Sequence, residues 1–424
     1  MKRYLTGIDW VVNALDYISR RKTGVGNTAQ VVLELEGIIG EEKLGERLKI
    51  ISRDYPVMFG YPSRAINLCP YWKVTSSRNT LRLNTDSLNL ESDFDSIIRN
   101  LSQRLNHPFK DKREHILFNL IHQGKKSFLG MIFDHRLMEA RGAEGFLDFV
   151  GGNGEFSLEE SLYDGPSHLN RWLDKFRAGR KVNRAFLHLT EGRPRVLGLT
   201  QGNPKVGCRL INFNKERSSG IFQNAFNEAG YLMLMPYVLS KSIVILNQIF
   251  EDKRIPPQDY LIPVSIDTRP NDLVRKEVLF NHLSFFLFRI TAQEAGSFKT
   301  VLSSVKKQIY AQIKIGLPQA IKEASFLMRI APLFLVNILL KAMSKGVPAS
   351  FSFAFIGEGA YASDNFMQIP VKNIFHIPRV PYPPGLGIFF NQYRGNINAT
   401  FSYADGLLNE KEIEIVKLGI NSLA

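Results

Sequence analysis

Lys126–Val150 reads KSFLGMIFDHRLMEARGAEGFLDFV. Its first half is an apolar run that stops abruptly at Asp134-His135, the pattern of a buried strand. Glu139 follows His135 by four residues, and small residues then open a second apolar pattern, Ala140–Val150, at helical spacing. A histidine on the lip of a strand titrates near neutrality and can take a proton from an alcohol or amine within hydrogen-bond reach. A carboxylate four residues on can fix its surroundings.

Spacing alone does not single this pair out. Eight histidines, each with about a 40/424 chance of an acidic residue at the fourth position on, give roughly 0.75 accidental matches. His107–Asp111 is one, but it sits in NHPFKDKREH, a polar loop with no strand leading in, and reads as solvated surface. His135 differs because it follows a buried strand. His282 and His376 read as ordinary structural histidines.

The 424 residues exceed one ordinary core and imply two lobes or domains. The 44% apolar and 22% charged composition is globular. Two cysteines, Cys69 and Cys208, exclude a disulfide framework, and the lack of a cysteine cluster argues against structural zinc, so no metal is expected. Tyr4–Ala14 contains Asp9 and no sustained apolar core, so no secretory signal is read. Ile330–Leu340, IAPLFLVNILL, is too short to span a bilayer and carries Pro332 and Asn337. The expectation is a soluble, cytoplasmic, monomeric protein. The formal net charge of +14 favours anionic partners: nucleotide phosphates, a phosphopantetheine arm on an acidic carrier protein, or an anionic membrane surface. Simple solubility accounts for it equally well. The basic residues are dispersed and form no zinc-finger or basic-zipper signature, so nucleic acid is not expected as a partner.

Along the chain, Thr28–Gly37 alternates as a strand, and Glu41–Tyr55 spaces Leu44, Leu48 and Ile51 as a helix that Pro56 ends. His115–Ile121 and Ser127–Phe133 read as paired strands around Gly124. Residues 166–205 are rich in arginine and proline and read as a connector between lobes 1–165 and 206–424. In the second lobe, strands are expected at Val206–Phe213, Leu261–Asp267, His282–Thr291, Phe351–Ile356, Leu386–Asn391 and Asn396–Tyr403. Helices are expected at Ser218–Ala229, Tyr237–Phe250, Phe298–Ile315, Ser325–Lys345 and Asn409–Leu423. Strands and helices mix without one-for-one alternation, which does not suit a simple parallel doubly wound sheet. Both halves share a coarse order of strand, helix, long insert and paired strands. The runs Phe285-Phe286 and Phe389-Phe390 read as core strands, with walls for an acyl chain as the alternative.

DHRLMEARG resembles the HHxxxDG signature of the condensation-domain-like, coenzyme-A-dependent acyltransferases, the superfamily of chloramphenicol acetyltransferase, peptide-synthetase condensation domains, plant alcohol acyltransferases and wax ester synthases. VVLELEGIIGEEKLGERLKIISRDYPVM is similar to that family's opening strand and helix. LIPVSIDTRP followed by FNHLSFFLFRI is similar to its second-lobe strands, and GLGIFFNQYRGNINATFSYADGLL to its closing hairpin. The pieces stand in the family's order across nearly the whole chain.

The resemblance implies a mixed α/β fold of two chloramphenicol-acetyltransferase-like lobes, a V-shaped pseudo-dimer with a central tunnel. It implies transfer of an acyl group from a coenzyme A or carrier-protein thioester to an alcohol or amine, with His135 as general base and no tightly bound cofactor. No Ser or Cys nucleophile is required, and no G-x-S-x-G elbow is present. Glu139 takes the place of the motif's structural aspartate, with Arg269 of SIDTRP as its expected partner. Asp134 replaces the first histidine. Ser352 and Asn391 are candidates for oxyanion or tunnel contacts. Glu139 is one methylene longer than the family's residue, Ala140 replaces a glycine free to adopt positive φ, and residues 352–366 carry no DFGWG-type motif. These departures motivate two alternatives: a catalytically degenerate binding or scaffold protein, and, from the positive charge and the 325–345 stretch, a peripheral membrane lipid acyltransferase.

Overall fold

The computed structural model describes residues 2–74, 79–89, 93–153, 172–189, 192–198, 205–270, 273–343, 346–347 and 349–424. Among them the first strands are β1 (Lys2–Tyr4), β2 (Thr28–Leu35), β3 (Tyr61–Arg64), β4 (Pro70–Lys73), β5 (Arg82–Ser87), β6 (Ile116–Gln123) and β7 (Lys126–Asp134). They continue with β8 (Val206–Phe213), β9 (Tyr260–Asp267), β10 (Leu283–Ile290), β11 (Ser352–Glu358), β12 (Asn365–Phe366), β13 (Ile369–Pro378), β14 (Leu386–Tyr393) and β15 (Asn396–Ala404). The helices are α1 (Gly7–Thr23), α2 (Glu41–Asp54), α3 (Phe94–Arg104), α4 (Ala140–Val150), α5 (Trp172–Leu189) and α6 (Lys215–Ala229). After them come α7 (Leu234–Asp252), α8 (Phe298–Lys314), α9 (Leu317–Met328), α10 (Leu333–Met343) and α11 (Glu410–Asn421).

Two six-stranded mixed sheets carry the structure, in the orders β12-β13-β2-β7-β6-β5 and β10-β9-β11-β14-β15-β8. The run β2-β7-β6-β5 is joined antiparallel, antiparallel, parallel, and β8-β15-β14-β11 repeats both order and directions. Each first strand is followed by a helix, α2 or α6, and each closing hairpin by another, α4 or α11. The coarse symmetry of the sequence is therefore a duplicated topology. β2 and β7 are buried almost throughout, which explains the run Phe128–Phe133 without a polar side chain in β7, while β2 also buries Thr28, Gln30 and Glu34.

The repeat is broken where the halves are stitched together. β13 pairs antiparallel with β2 from Val371↔Leu35 to Pro378↔Ala29, so residues 365–378 complete the sheet that carries the histidine motif. The division at 166–205 leaves this exchange out. Part of that connector forms α5, whose Gly179 lies against Leu327 of α9; residues 154–171, 190–191 and 199–204 lie outside the described residues. One apolar core fills the second half. Another fills the first half and takes in Val278, Leu279 and Phe280 from the second. A third lies between β2, α3 and the face of β8 that presents Cys208 and Leu210.

One expectation needs correction, and one element is unexpected. Ser325–Lys345 is not one helix: Pro332 has no N–H to continue α9, and α10 starts afresh. The carbonyls freed at the break are captured instead. Trp10 Nε1 donates to Ala331 O at 2.9 Å, and the Arg64 guanidinium donates to the carbonyls of Arg329, Ile330 and Ala331. Residues 1–25 also contain α1, closed at its start by a capping box in which Thr6 and Asp9 satisfy each other's backbone N–H.

Gly142 on α4 shows how closely the halves approach: a Cβ there would meet the Val278 carbonyl oxygen at 2.2 Å. Gly45 on α2 has nothing within 4 Å of its Cβ position. Gly142→Ala is expected to destabilise the protein by about 1–3 kcal/mol through overpacking, whereas Gly45→Ala is expected to stabilise it by up to about 1 kcal/mol through helix propensity. Urea midpoints of the two variants check the contrast.

Candidate functional site

β7 ends at Asp134 against Thr28 of β2, and the chain turns through residues 135–139 into α4. The turn is fixed from three directions. His135 N donates to Asn27 O at 3.0 Å, Asn281 Nδ2 donates to His135 O at 2.9 Å, and Phe280 N donates to Leu137 O at 2.5 Å. Asn281 N also donates to Asp9 of α1 at 3.0 Å. The residue after β7 is thus held by both halves of the chain and by the N-terminal helix.

The His135 ring packs edge-on against Phe133, with centroids 5.2 Å apart. Burial pushes its pKa down to about 4, and His376 nearby adds to that effect. Asp134 and a hydrogen bond to the Met138 backbone pull the other way without restoring the usual value.

Asp134 does not serve this ring; it is fully buried with its own partners. Arg136 donates to it from Nε at 2.9 Å and Nη2 at 2.5 Å, His115 Nδ1 lies at 3.2 Å, and Arg20 Nη2 at 3.6 Å. Burial disfavours the Asp134 carboxylate, but Arg136 and His115 outweigh it and hold it well below the usual carboxylate range. His115, in turn, reaches Gly60 O at 2.8 Å through its other nitrogen.

Glu139 is the N-cap residue of α4 and is buried. The structure brings it against Arg269, whose Nη2 donates to Glu139 Oε1. Arg269 also contacts Asp267 through Nη2 at 2.7 Å and gives Nη1 to Glu277 O at 2.5 Å, while Arg141 Nη1 reaches Asp267 at 3.1 Å. Two carboxylates therefore share one buried guanidinium, and Asp267 has the better set of donors. Asp267 is held low despite burial, chiefly by its bonds from Arg269, whereas burial pushes Glu139 up to about 7 against the pull of Arg269. Ala140 is the first residue of α4 and has no positive φ, so the missing glycine removes nothing this backbone uses.

Ser352 and Asn391 do not join this group. Ser352 opens β11 opposite Gly387. Asn391 Nδ2 donates to Ile374 O at 2.8 Å, beside Asn398, whose amide donates to the same carbonyl and exchanges bonds with Asn373. Asn391 is part of a seam between the two sheets. Clefts of about 550 Å³ beside α3 and β8 and about 850 Å³ beside β10 and α8 are lined by none of His135, Ser352 and Asn391. Among the described residues no cluster of His, Cys, Asp and Glu could hold a metal ion.

The sequence reading missed a second buried pair. His376 Nε2 lies 2.6 Å from Glu144 Oε1 on α4, and Glu144 Oε2 accepts the Ala360 N–H at 2.5 Å. His376 is on β13, the strand that crosses into the first sheet. Nothing local in the sequence pairs residues this far apart.

No family model matches the chain, and no curated protein matches it in sequence. Solved structures do match the fold over its whole length. The trichothecene 15-O-acetyltransferase of Fusarium sporotrichioides superposes with a TM-score of 0.71 at 12% identity, covering 100% of this chain and 95% of that one. The first condensation domain of the calcium-dependent antibiotic synthetase gives 0.71 at 11% identity, again covering 100% and 95%. The epimerization domain from the third module of tyrocidine synthetase B gives 0.64 at 13% identity, with the same coverage. The chain has the mixed α/β fold of these acetyltransferase, condensation-domain and epimerization-domain structures.

The pH dependence of stability distinguishes which carboxylate of the shared pair is ionised. Glu139 has a folded value of about 7 against an ordinary 4.5, so its contribution is complete below about pH 4.5 and is lost as pH rises through 7. Relative to Glu139→Gln, the wild type is expected to lose on the order of 3 kcal/mol across that window. Denaturant midpoints measured from pH 4.5 to 7.5 test this; a wild-type advantage that grows with pH would show Glu139 to be the ionised partner. Arg269→Ala, which removes the guanidinium that the two carboxyl groups share and leaves Asp267 with Arg141, is expected to cost about 3–5 kcal/mol at pH 7 in the same assay.

Proposed function

We propose that this chain is an acyltransferase that moves an acyl group from a thioester, carried by coenzyme A or by a carrier protein's phosphopantetheine, to a hydroxyl or amine acceptor. The observation that carries the reading is the placement of His135: it stands in the turn where β7 ends, and bonds with Asn27 on one side and with Phe280 and Asn281 on the other hold that turn at the joint of the two halves. The fold shared with an O-acetyltransferase and with condensation domains supports it.

In this reading a ring nitrogen of His135 takes the proton of the acceptor as the acceptor's oxygen or nitrogen attacks the thioester carbonyl. A tetrahedral oxyanion forms and collapses, the C–S bond breaks, and the departing thiolate recovers the proton from the imidazolium. The acyl group passes directly to the acceptor, so no covalent enzyme intermediate and no resident cofactor is needed. Glu139 and Arg269 hold the start of α4, and with it the turn that carries the ring. Asp134 stays paired with Arg136 and His115 and leaves the imidazole uncharged.

His135→Ala is expected to lower thioester consumption in the presence of acceptor by about 10²–10⁴-fold, the usual contribution of a positioned base. Equal rates for the two forms would sink the assignment and leave a binding protein. The acid limb of kcat/KM in the wild type is expected near pH 4, well below the value of about 6.5 for an exposed histidine. A limb centred between 6 and 7 would show that the ring is not buried in the free enzyme.

A further inference from the structure

α10, LFLVNILLKAM, is apolar on nearly every side. Its inner face buries Val336 and Asn337. Its outer face leaves Phe334 (52%), Leu335, Ile338 (56%) and Leu339 open to solvent. A helix that is apolar all round needs cover all round, and here half of that cover is missing among the described residues.

The open face does not end with the helix. Arg64 Nη1 donates at 2.9 Å both to Ile330 O, just before α10, and to Leu68 O in the loop joining β3 to β4. That contact places the hairpin tip beside the helix entry. The tip projects Ile66, which is fully exposed, together with Leu68. Trp10 and Arg64 hold the carbonyls at the break between α9 and α10, so the orientation of the outer face is set by the fold itself.

Cations stand at the other end. Lys341 is exposed on the last turn of α10, and Arg21 and Lys22 are exposed at the end of α1. Lys341 lies close enough to Lys22 to help burial depress its pKa. Among the described residues no carboxylate forms an ion pair with Arg21, Lys22 or Lys341. A protruding apolar ridge beside unneutralised cations complements phosphate headgroups above acyl chains; a protein groove would require a convex ridge to find a matching trough that also supplies anions. No single described helix is long and apolar enough to cross a bilayer, so an attachment through this face lies in the plane of the membrane surface.

We propose that α10 and the tip of the β3–β4 hairpin form a docking surface for an anionic phospholipid bilayer. Phe334, Ile338 and Ile66 enter the boundary between headgroups and acyl chains, and Arg21, Lys22 and Lys341 meet the phosphates.

The test is flotation of the full chain with phosphatidylcholine vesicles, with and without phosphatidylglycerol, at low and high salt. The wild type is expected to float with the anionic vesicles and to bind neutral ones more weakly. Phe334→Ser/Ile338→Ser is expected to reduce binding by about tenfold or more. Lys22→Glu/Lys341→Glu is expected to erase the preference for phosphatidylglycerol while leaving the weak neutral binding. All of these positions are exposed, so circular dichroism and melting curves should match the wild type. The proposal is overturned if the wild type fails to float with any vesicle, or if the serine variant floats like the wild type. It is equally overturned if light scattering finds a dimer that the serine variant converts to monomer, since the face would then join two copies of this chain.

Discussion

The arrangement of the site depends on one buried guanidinium. Arg269 leaves β9 of the second sheet and meets Glu139 at the start of α4, which packs against the first. Taking a guanidinium and two carboxylates out of water costs several kcal/mol per ion, and only full hydrogen bonding offsets it. Arg269 satisfies that condition with Asp267, Glu139 and the Glu277 carbonyl. Because these groups come from both halves, neither half can keep its share of the network without the other. The turn carrying His135 hangs between β7 and this anchor, so the geometry of the ring is a property of the joined halves and not of either alone.

The charges around His135 are sorted with the same economy. Asp134, Arg136 and Glu139 share the turn with His135, and each of them has a charged partner of its own. Asp134 would be the natural carboxylate to raise the basicity of the ring, but Arg136 and His115 occupy it. Burial instead lowers the pKa of the ring to about 4, and each unit of lowered pKa makes proton uptake about 1.4 kcal/mol less favourable.

Much of this could be read from residues close in sequence. β7 and α4 are legible in KSFLGMIFD and ARGAEGFLDFV because their periods differ and the break between them is sharp. β2 is legible because Thr28–Gly37 alternates and is rich in β-branched and other apolar residues, although the burial of both its faces is not. The pairing of Glu139 with Arg269 came from the order of motifs, since 130 residues separate the two and no local pattern links them. α1 is less legible although Thr6 and Asp9 spell a capping box, because its buried face carries Asp9, Asn13 and Asp16 among the apolar residues. The bend at Pro332 shows the opposite limit: a proline marks where a helix can stop, but only the fold supplies Arg64 and Trp10 to receive the freed carbonyls. Asn391 and the His376–Glu144 pair depend wholly on β13 crossing into the first sheet, a pairing that no window of sequence contains.

That crossing also restricts how the two halves can move. β13 is bonded along its length to β2 on one side. From the second sheet, Asn391 and Asn398 hold the Ile374 carbonyl, Asn398 and Asn373 exchange amide bonds, and Thr400 holds the His376 carbonyl at 2.6 Å. Each of these buried bonds contributes about 1 kcal/mol while made, and leaving its groups unpaired costs more. Opening the halves along this seam would break them all at once. The separation of the halves is therefore the motion that the polar seam most strongly opposes.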